Sequence, residues 1–142
     1  MFVGLGWIAT VVAANGLVSL GSGLEVVPVR AAGPLAEPVG VVVAALGIAI
    51  RSGLSTARST LLPVEAALIA AVALIVVPGV VALLTAGPGP GLLTLGRSAT
   101  SVFTLTDVVL AALAGLAVLL VVRARVAGAG RPRWPWEDDE QP

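Results

Sequence analysis

From Leu61 to Ala86 the chain carries one charged side chain, Glu65, in an otherwise apolar run. At about 1.5 Å per helical residue this stretch exceeds the about 30 Å hydrocarbon core of a bilayer. Two comparable stretches run from Phe2 to Leu20, interrupted only by Thr10, Asn15 and Ser19, and from about Leu105 to Val122. A fourth is shorter, because its uncharged part, Val39 to Ile50, covers only about 18 Å as a helix. Glu37-Pro38 fits its start, since proline suits the first helical positions and a carboxylate suits the positive end of the helix dipole. Continuing to about Ala57, with Arg51 snorkelling toward the headgroups, gives enough length to span. A short interfacial helix is the rival reading of this segment.

Composition excludes the other broad classes. Of 142 residues, 58% are hydrophobic and 11% charged, with a mean hydropathy of +1.07. A soluble domain is nearer half apolar and about a quarter charged. Disorder requires low hydrophobicity, which this chain lacks. The expected fold class is therefore an all-α integral membrane protein, with four transmembrane helices as two antiparallel hairpins. Its helices fall at about 2–20, 38–57, 61–86 and 105–122. Residues 1–123 form the membrane domain and 124–142 a tail. The first segment has no Lys or Arg before its apolar stretch and is too long for an ordinary signal h-region, so it is expected to be retained as a helix.

The missing residue types narrow the chemistry. Cys, His, Lys and Tyr are all absent. Thiolate sites, iron–sulfur clusters, imidazole bases and Schiff-base lysines are thereby excluded. The serines have no His or Lys to activate them, and arginine holds its proton at biological pH. No catalytic residue, cofactor site or metal site is expected, and the chain reads as a non-enzyme. Gly87-Pro88-Gly89-Pro90-Gly91 lacks the Gly-Lys-Ser/Thr ending of a phosphate loop. The segment from Gly87 to Ser101 reads as a loop whose Leu92, Leu93 and Leu95 rest on the membrane surface.

Arginine placement gives an orientation. Four spans put Arg51, Arg58, Arg123, Arg125, Arg131 and Arg133 on the side of the N-terminus, against Arg30 and Arg97 opposite. The positive-inside rule then predicts both termini in the cytoplasm, in a cell membrane or a virion envelope. Arg123 and Arg125, with Trp134 and Trp136, read as an interfacial anchor after the last span. The acidic run Glu137 to Glu140 reads as solvated.

Three acids fall at expected helix starts: Glu37, Glu65 and Asp107. Pro63 places Glu65 in the first turn of the third span. Thr104-Leu105-Thr106-Asp107 has capping-box spacing, with Thr104 as cap and Asp107 near headgroup depth. Asn15 belongs to no helix end. It should share a depth with Asp107, so an Asn15–Asp107 contact is expected, as interhelical glue or as an ion or substrate contact. Small-xxx-small pairs at Gly40/Ala44, Ala45/Ala49, Ala66/Ala70 and Ala111/Gly115 predict close helix packing. Pro78-Gly79 predicts a kink in the third span.

The function these features suggest is structural or accessory: a subunit of a membrane complex or an envelope component. Its expected partners are the lipid bilayer and either a second copy or another membrane protein, and not nucleic acid. The alternative is a small transporter or channel subunit, with Asn15 and Asp107 near an outer vestibule.

Overall fold

In a computed structural model the described residues are 2–23, 35–54 and 60–126. They form five helices and no strand: α1 (Phe2–Ser22), α2 (Ala36–Gly53), α3 (Leu62–Ala86), α4 (Pro88–Thr100) and α5 (Val102–Val126). Four of them, α1, α2, α3 and α5, are long and apolar enough to cross a membrane. Helices suit this composition, because in hydrocarbon each backbone N–H must be satisfied within its own segment. The chain is thus an all-α, multi-pass membrane protein.

The buried positions recur every fourth residue. Such rows are Trp7, Val11 and Asn15 on α1; Ala36, Gly40, Ala44 and Ile48 on α2, with Ala45 buried beside them; and Phe103, Asp107, Ala111, Gly115 and Leu119 on α5. On α3 the row is Leu62, Ala66, Ala70, Leu74, Pro78 and Ala82. Four residues turn an α-helix by about 400°, so such a row drifts by about 40° at each step. Over its five steps the α3 row winds about halfway around the helix. This drift lets α3 meet three partners in succession along its length. Gly115 of α5 lies against Leu62, Pro63 and Ala66. Gly47 and Gly40 of α2 lie against Ile69 and Pro78, and α4 covers Gly79 and Leu83. Helix α1 completes the bundle by packing on α2 and α5.

The contacts also fix direction. Gly40 meets Pro78, Gly47 meets Ile69 and Arg51 meets Glu65, so α2 and α3 are antiparallel. Gly4 approaches Ala45 and Ala49 late in α2, while Asn15 bonds Asp107, which is near Glu37 in the first turn of α2, so α1 and α2 are antiparallel too. The small residues carry these approaches. A Cβ built on Gly115 would stand 2.9 Å from Leu62 O and Pro63 Cα, and one on Gly40 3.1 Å from Pro78 Cγ. Of the eight residues in the expected small-xxx-small pairs, seven are buried and Ala49 is half-buried.

Three expectations are corrected. The segment read as a loop from Gly87 to Ser101 contains α4. Its Pro88 and Pro90 look like loop residues, but both fall in the first helical turn, where a missing N–H has no partner to lose. Gly87, at φ 96°, takes the left-handed conformation that reverses the chain between Ala86 and Pro88. Helix α4 then runs back along α3, with Gly91 against Leu83 and Leu95 against Gly79. Leu92 and Leu93 are exposed, whereas Leu95 packs on α3.

The second correction concerns the start of α5. The helix begins at Val102, not near Leu105, and the Phe103 N–H donates to Ser101 Oγ at 3.2 Å. Ser101 therefore takes the capping role expected of Thr104, and Asp107 sits in the second turn. Third, α2 covers Ala36–Gly53, starting two residues before the expected boundary and ending four before it. Pro78 does not break α3, which continues to Ala86 with the proline ring seated against Gly40.

Candidate functional site

Asp107 projects from the buried face of α5 between Phe103 and Ala111. Its depth follows from Gly115, eight residues on, which touches Leu62 and Ala66 near the start of α3. Eight residues rise about 12 Å, which leaves about 18 Å of α3 beyond the level of Asp107. The carboxyl therefore lies well along the bundle and past the first turn of α5, not at a helix start as expected. The neighbours of α3 in that outer part are α4 and the first turn of α2, where Ala36 packs with Ala82.

The structure brings Asn15 and Asp107 together. Asn15 Nδ2 donates to Asp107 Oδ2 at 3.2 Å, and the two side chains are 9% and 4% exposed. Each keeps a second oxygen, Asn15 Oδ1 and Asp107 Oδ1, that is buried and makes no hydrogen bond. Glu37, in the first turn of α2, is close enough for its carboxylate and that of Asp107 to repel when both are ionised. Glu37 thus adds a third polar residue to the Asn15–Asp107 contact, one that the sequence spacing alone does not bring there. Within hydrocarbon such a repulsion is weakly screened.

Glu65 has a different partner. It lies in the first turn of α3, where its Oε2 is 2.7 Å from Arg51 Nη2, and both side chains are 32% exposed. The contact is one of charge and not an aligned hydrogen bond. Arg51 therefore joins α2 to α3, a role beyond the snorkelling that its position suggested. Opposite charges on either side of the turn between two spans were the available signal. Arg123 and Arg125 fall in the last turn of α5, where cations suit the negative end of the helix. Trp134 and Trp136 lie outside the described residues, as do Arg30, Arg58 and the acidic run.

Other buried polar groups were not foreseen. Thr94 and Ser98 face inward from α4, each 1% exposed. The Thr94 hydroxyl donates to Pro90 O at 2.8 Å, which satisfies it within its own helix. Ser98 Oγ has no hydrogen-bond partner, and neither does the indole Nε1 of Trp7. Among the described residues no three acids converge as a metal site would require. A groove of about 620 Å³ between α1 and α5 is lined by Trp7, Leu110, Ala114 and Val118, and reaches Arg125 at one end. Its walls are apolar, so it offers shape and not chemistry.

What the arrangement can do is bond helices to one another and hold a localised charge or proton inside the span. No curated protein and no solved structure matches the chain. A family match covers residues 1–142, and by it the chain belongs to DUF6121, a family of unknown function.

Proposed function

We propose that this chain is a non-catalytic structural or accessory subunit of a membrane assembly, acting through helix packing with a second copy or another membrane protein. The observation that carries this reading is how the polar groups on its helices are used. Asn15–Asp107 ties α1 to α5, and Arg51–Glu65 ties α2 to α3. These side chains act as links between helices and do not line an open site. Small residues on the contact stripes support the same reading, since close backbone approach is the main source of helix association in lipid. The test is purification in a mild detergent followed by mass measurement. A stoichiometric partner or a stable homo-oligomer is expected, and a strictly monomeric, partner-free chain would count against the proposal.

In this reading the bilayer is a cell membrane or virion envelope, with both termini cytoplasmic. Arg51, Arg123 and Arg125 support that orientation, because they gather at one end of the bundle. Protease accessibility of tags at each terminus tests it.

A second reading, a small transporter or channel subunit, is favoured by the placement of Asp107 within the span. Ionisable residues there often mark ion pathways. Flux through reconstituted protein should then fall in Asn15→Ala and Asp107→Asn. Unchanged flux removes this version.

A further inference from the structure

The Asn15–Asp107 contact is incomplete with Asp107 ionised. An ionised carboxylate only accepts hydrogen bonds, and the amide oxygen of Asn15 also only accepts. The one bond present, from Nδ2 to Oδ2, therefore leaves two buried acceptors, Asn15 Oδ1 and Asp107 Oδ1, with no donor between them. Both are cut off from water, and a buried unsatisfied acceptor is costly in an apolar medium. A single proton on Asp107 Oδ1 turns that oxygen into a donor for the amide oxygen. A planar carboxylic acid and a planar amide then close a ring of two hydrogen bonds. The same proton removes the negative charge from hydrocarbon and ends the repulsion with Glu37.

We propose that Asp107 is a proton-binding site, and that the bound proton closes an acid–amide pair with Asn15 which clasps α1 to α5. The step is reversible and balanced: the carboxylate takes one proton from water to become the acid, and returns it on release. Among the described residues the charged groups around it are few. Helix α1 carries none between Phe2 and Ser22. Helix α2 presents Glu37, with Arg51 at its other end. The one acid of α3 is Glu65, paired with Arg51, and Arg97 of α4 has an exposed side chain. Arg123 and Arg125 lie in the last turn of α5. Glu37 is thus the titratable group to control for. The proposal goes beyond the assembly and transport readings, since the clasp can close whether or not the chain assembles or carries flux.

The experiment is a thermal and denaturant unfolding series of the full chain in detergent, across pH, in sodium-free and sodium-containing buffers. The Glu37→Gln background silences the neighbouring acid. A proton held by the folded state contributes stability that is present at low pH and lost as pH rises. In Glu37→Gln the folded-to-unfolded ratio should fall by up to about tenfold per pH unit above about pH 4, where an exposed aspartate ionises. The fall ends where the folded protein releases the proton. In Glu37→Gln/Asp107→Asn the second amide can still form two hydrogen bonds with Asn15, and the fall should vanish. A ratio that rises with pH overturns the proposal. So does a sodium-dependent stability that Asp107→Asn abolishes, because a cation then fills the site. If the double variant does not fold, infrared spectra of Glu37→Gln decide. A carbonyl band of a protonated, water-inaccessible carboxyl should persist at neutral pH, and its absence there overturns the clasp.

Discussion

Around Gly40 and Gly115 the helices meet backbone against backbone, whereas α1 holds on largely through an indole, a valine and an amide. In α2 and α3 the contact stripe is built mostly of Gly and Ala, α5 adds Ala111 and Gly115, and neighbouring chain atoms stand where a Cβ would go. On α1 one such approach exists, at Gly4, where an added Cβ would stand 3.1 Å from Ala45 O, and beyond it the stripe is Trp7, Val11 and Asn15. The remainder of α1 is open to lipid at Leu5, Val12, Leu17 and Leu20. The difference teaches that the two regions fail in opposite ways. The α2–α3–α5 core is broken by adding atoms, and the α1 attachment by removing them.

The largest effect should come from filling the core. Gly115→Leu places a branched side chain where backbone atoms of Leu62 and Pro63 already stand, and these cannot swing aside. A loss of about 3 kcal/mol or more is expected, at the upper end of overpacking costs. Reversible unfolding in mixed micelles measures it. If Gly115→Leu is neutral, α5 and α3 are not in backbone contact and the contrast collapses.

Removing bulk from α1 should come next. Trp7→Ala empties the space between α1, α2 and α5, and should cost about 2 kcal/mol. This is below the about 3–5 kcal/mol of aromatic truncation in a water-soluble core, because lipid chains are as apolar as the site they replace. Unfolding by the same assay should show α1 detaching first, as cleavage near the N-terminal half by limited proteolysis. Cleavage confined to the other helices would reverse the ranking of the two regions.

The polar clasp is expected to matter less. Asn15→Ala should lose about 0.6–1.7 kcal/mol, the range of interhelical hydrogen bonds in membrane proteins. Smallest of all is the Arg51–Glu65 pair, which is a third exposed and open to screening. A double-mutant cycle with Arg51→Gln and Glu65→Gln should give a coupling below about 1 kcal/mol that shrinks further in salt. A larger, salt-independent coupling would make this end of the bundle a second core.

Much of this arrangement was readable from the chain, for reasons that differ by element. Long apolar runs report their own length, so the spans at Phe2, Leu61 and Leu105 stand out however they pack. The Asn15–Asp107 contact was legible because depth along two antiparallel helices can be counted from their ends. Helix α4 was not, because Gly-Pro-Gly-Pro signals a loop wherever tertiary packing does not decide otherwise. Here Gly91 fits against Leu83, and that fit is visible only once α3 is in place. The cap of α5 was misplaced because Ser101 and Thr104 both precede an apolar run at workable spacing. The sequence offers no reason to prefer one. The Arg51–Glu65 pair is hinted at by opposite charges flanking one turn, but its closure depends on how α2 and α3 lean together.

The winding row on α3 has a consequence for how this chain can change over generations. Its outward residues face lipid, and one aliphatic side chain serves there as well as another. Its length is a different matter. One residue inserted between Ala70 and Leu74 would turn everything after it by about 100°. Val77 and Val81 would then occupy the places of Pro78 and Ala82, against Gly40 and Ala36. Four inserted residues would nearly restore the facing, about 40° off, but at the wrong height. Substitution is cheap along most of this helix, and insertion is not. Drift within such a lineage should therefore rewrite its letters freely while leaving the spacing between its small residues intact.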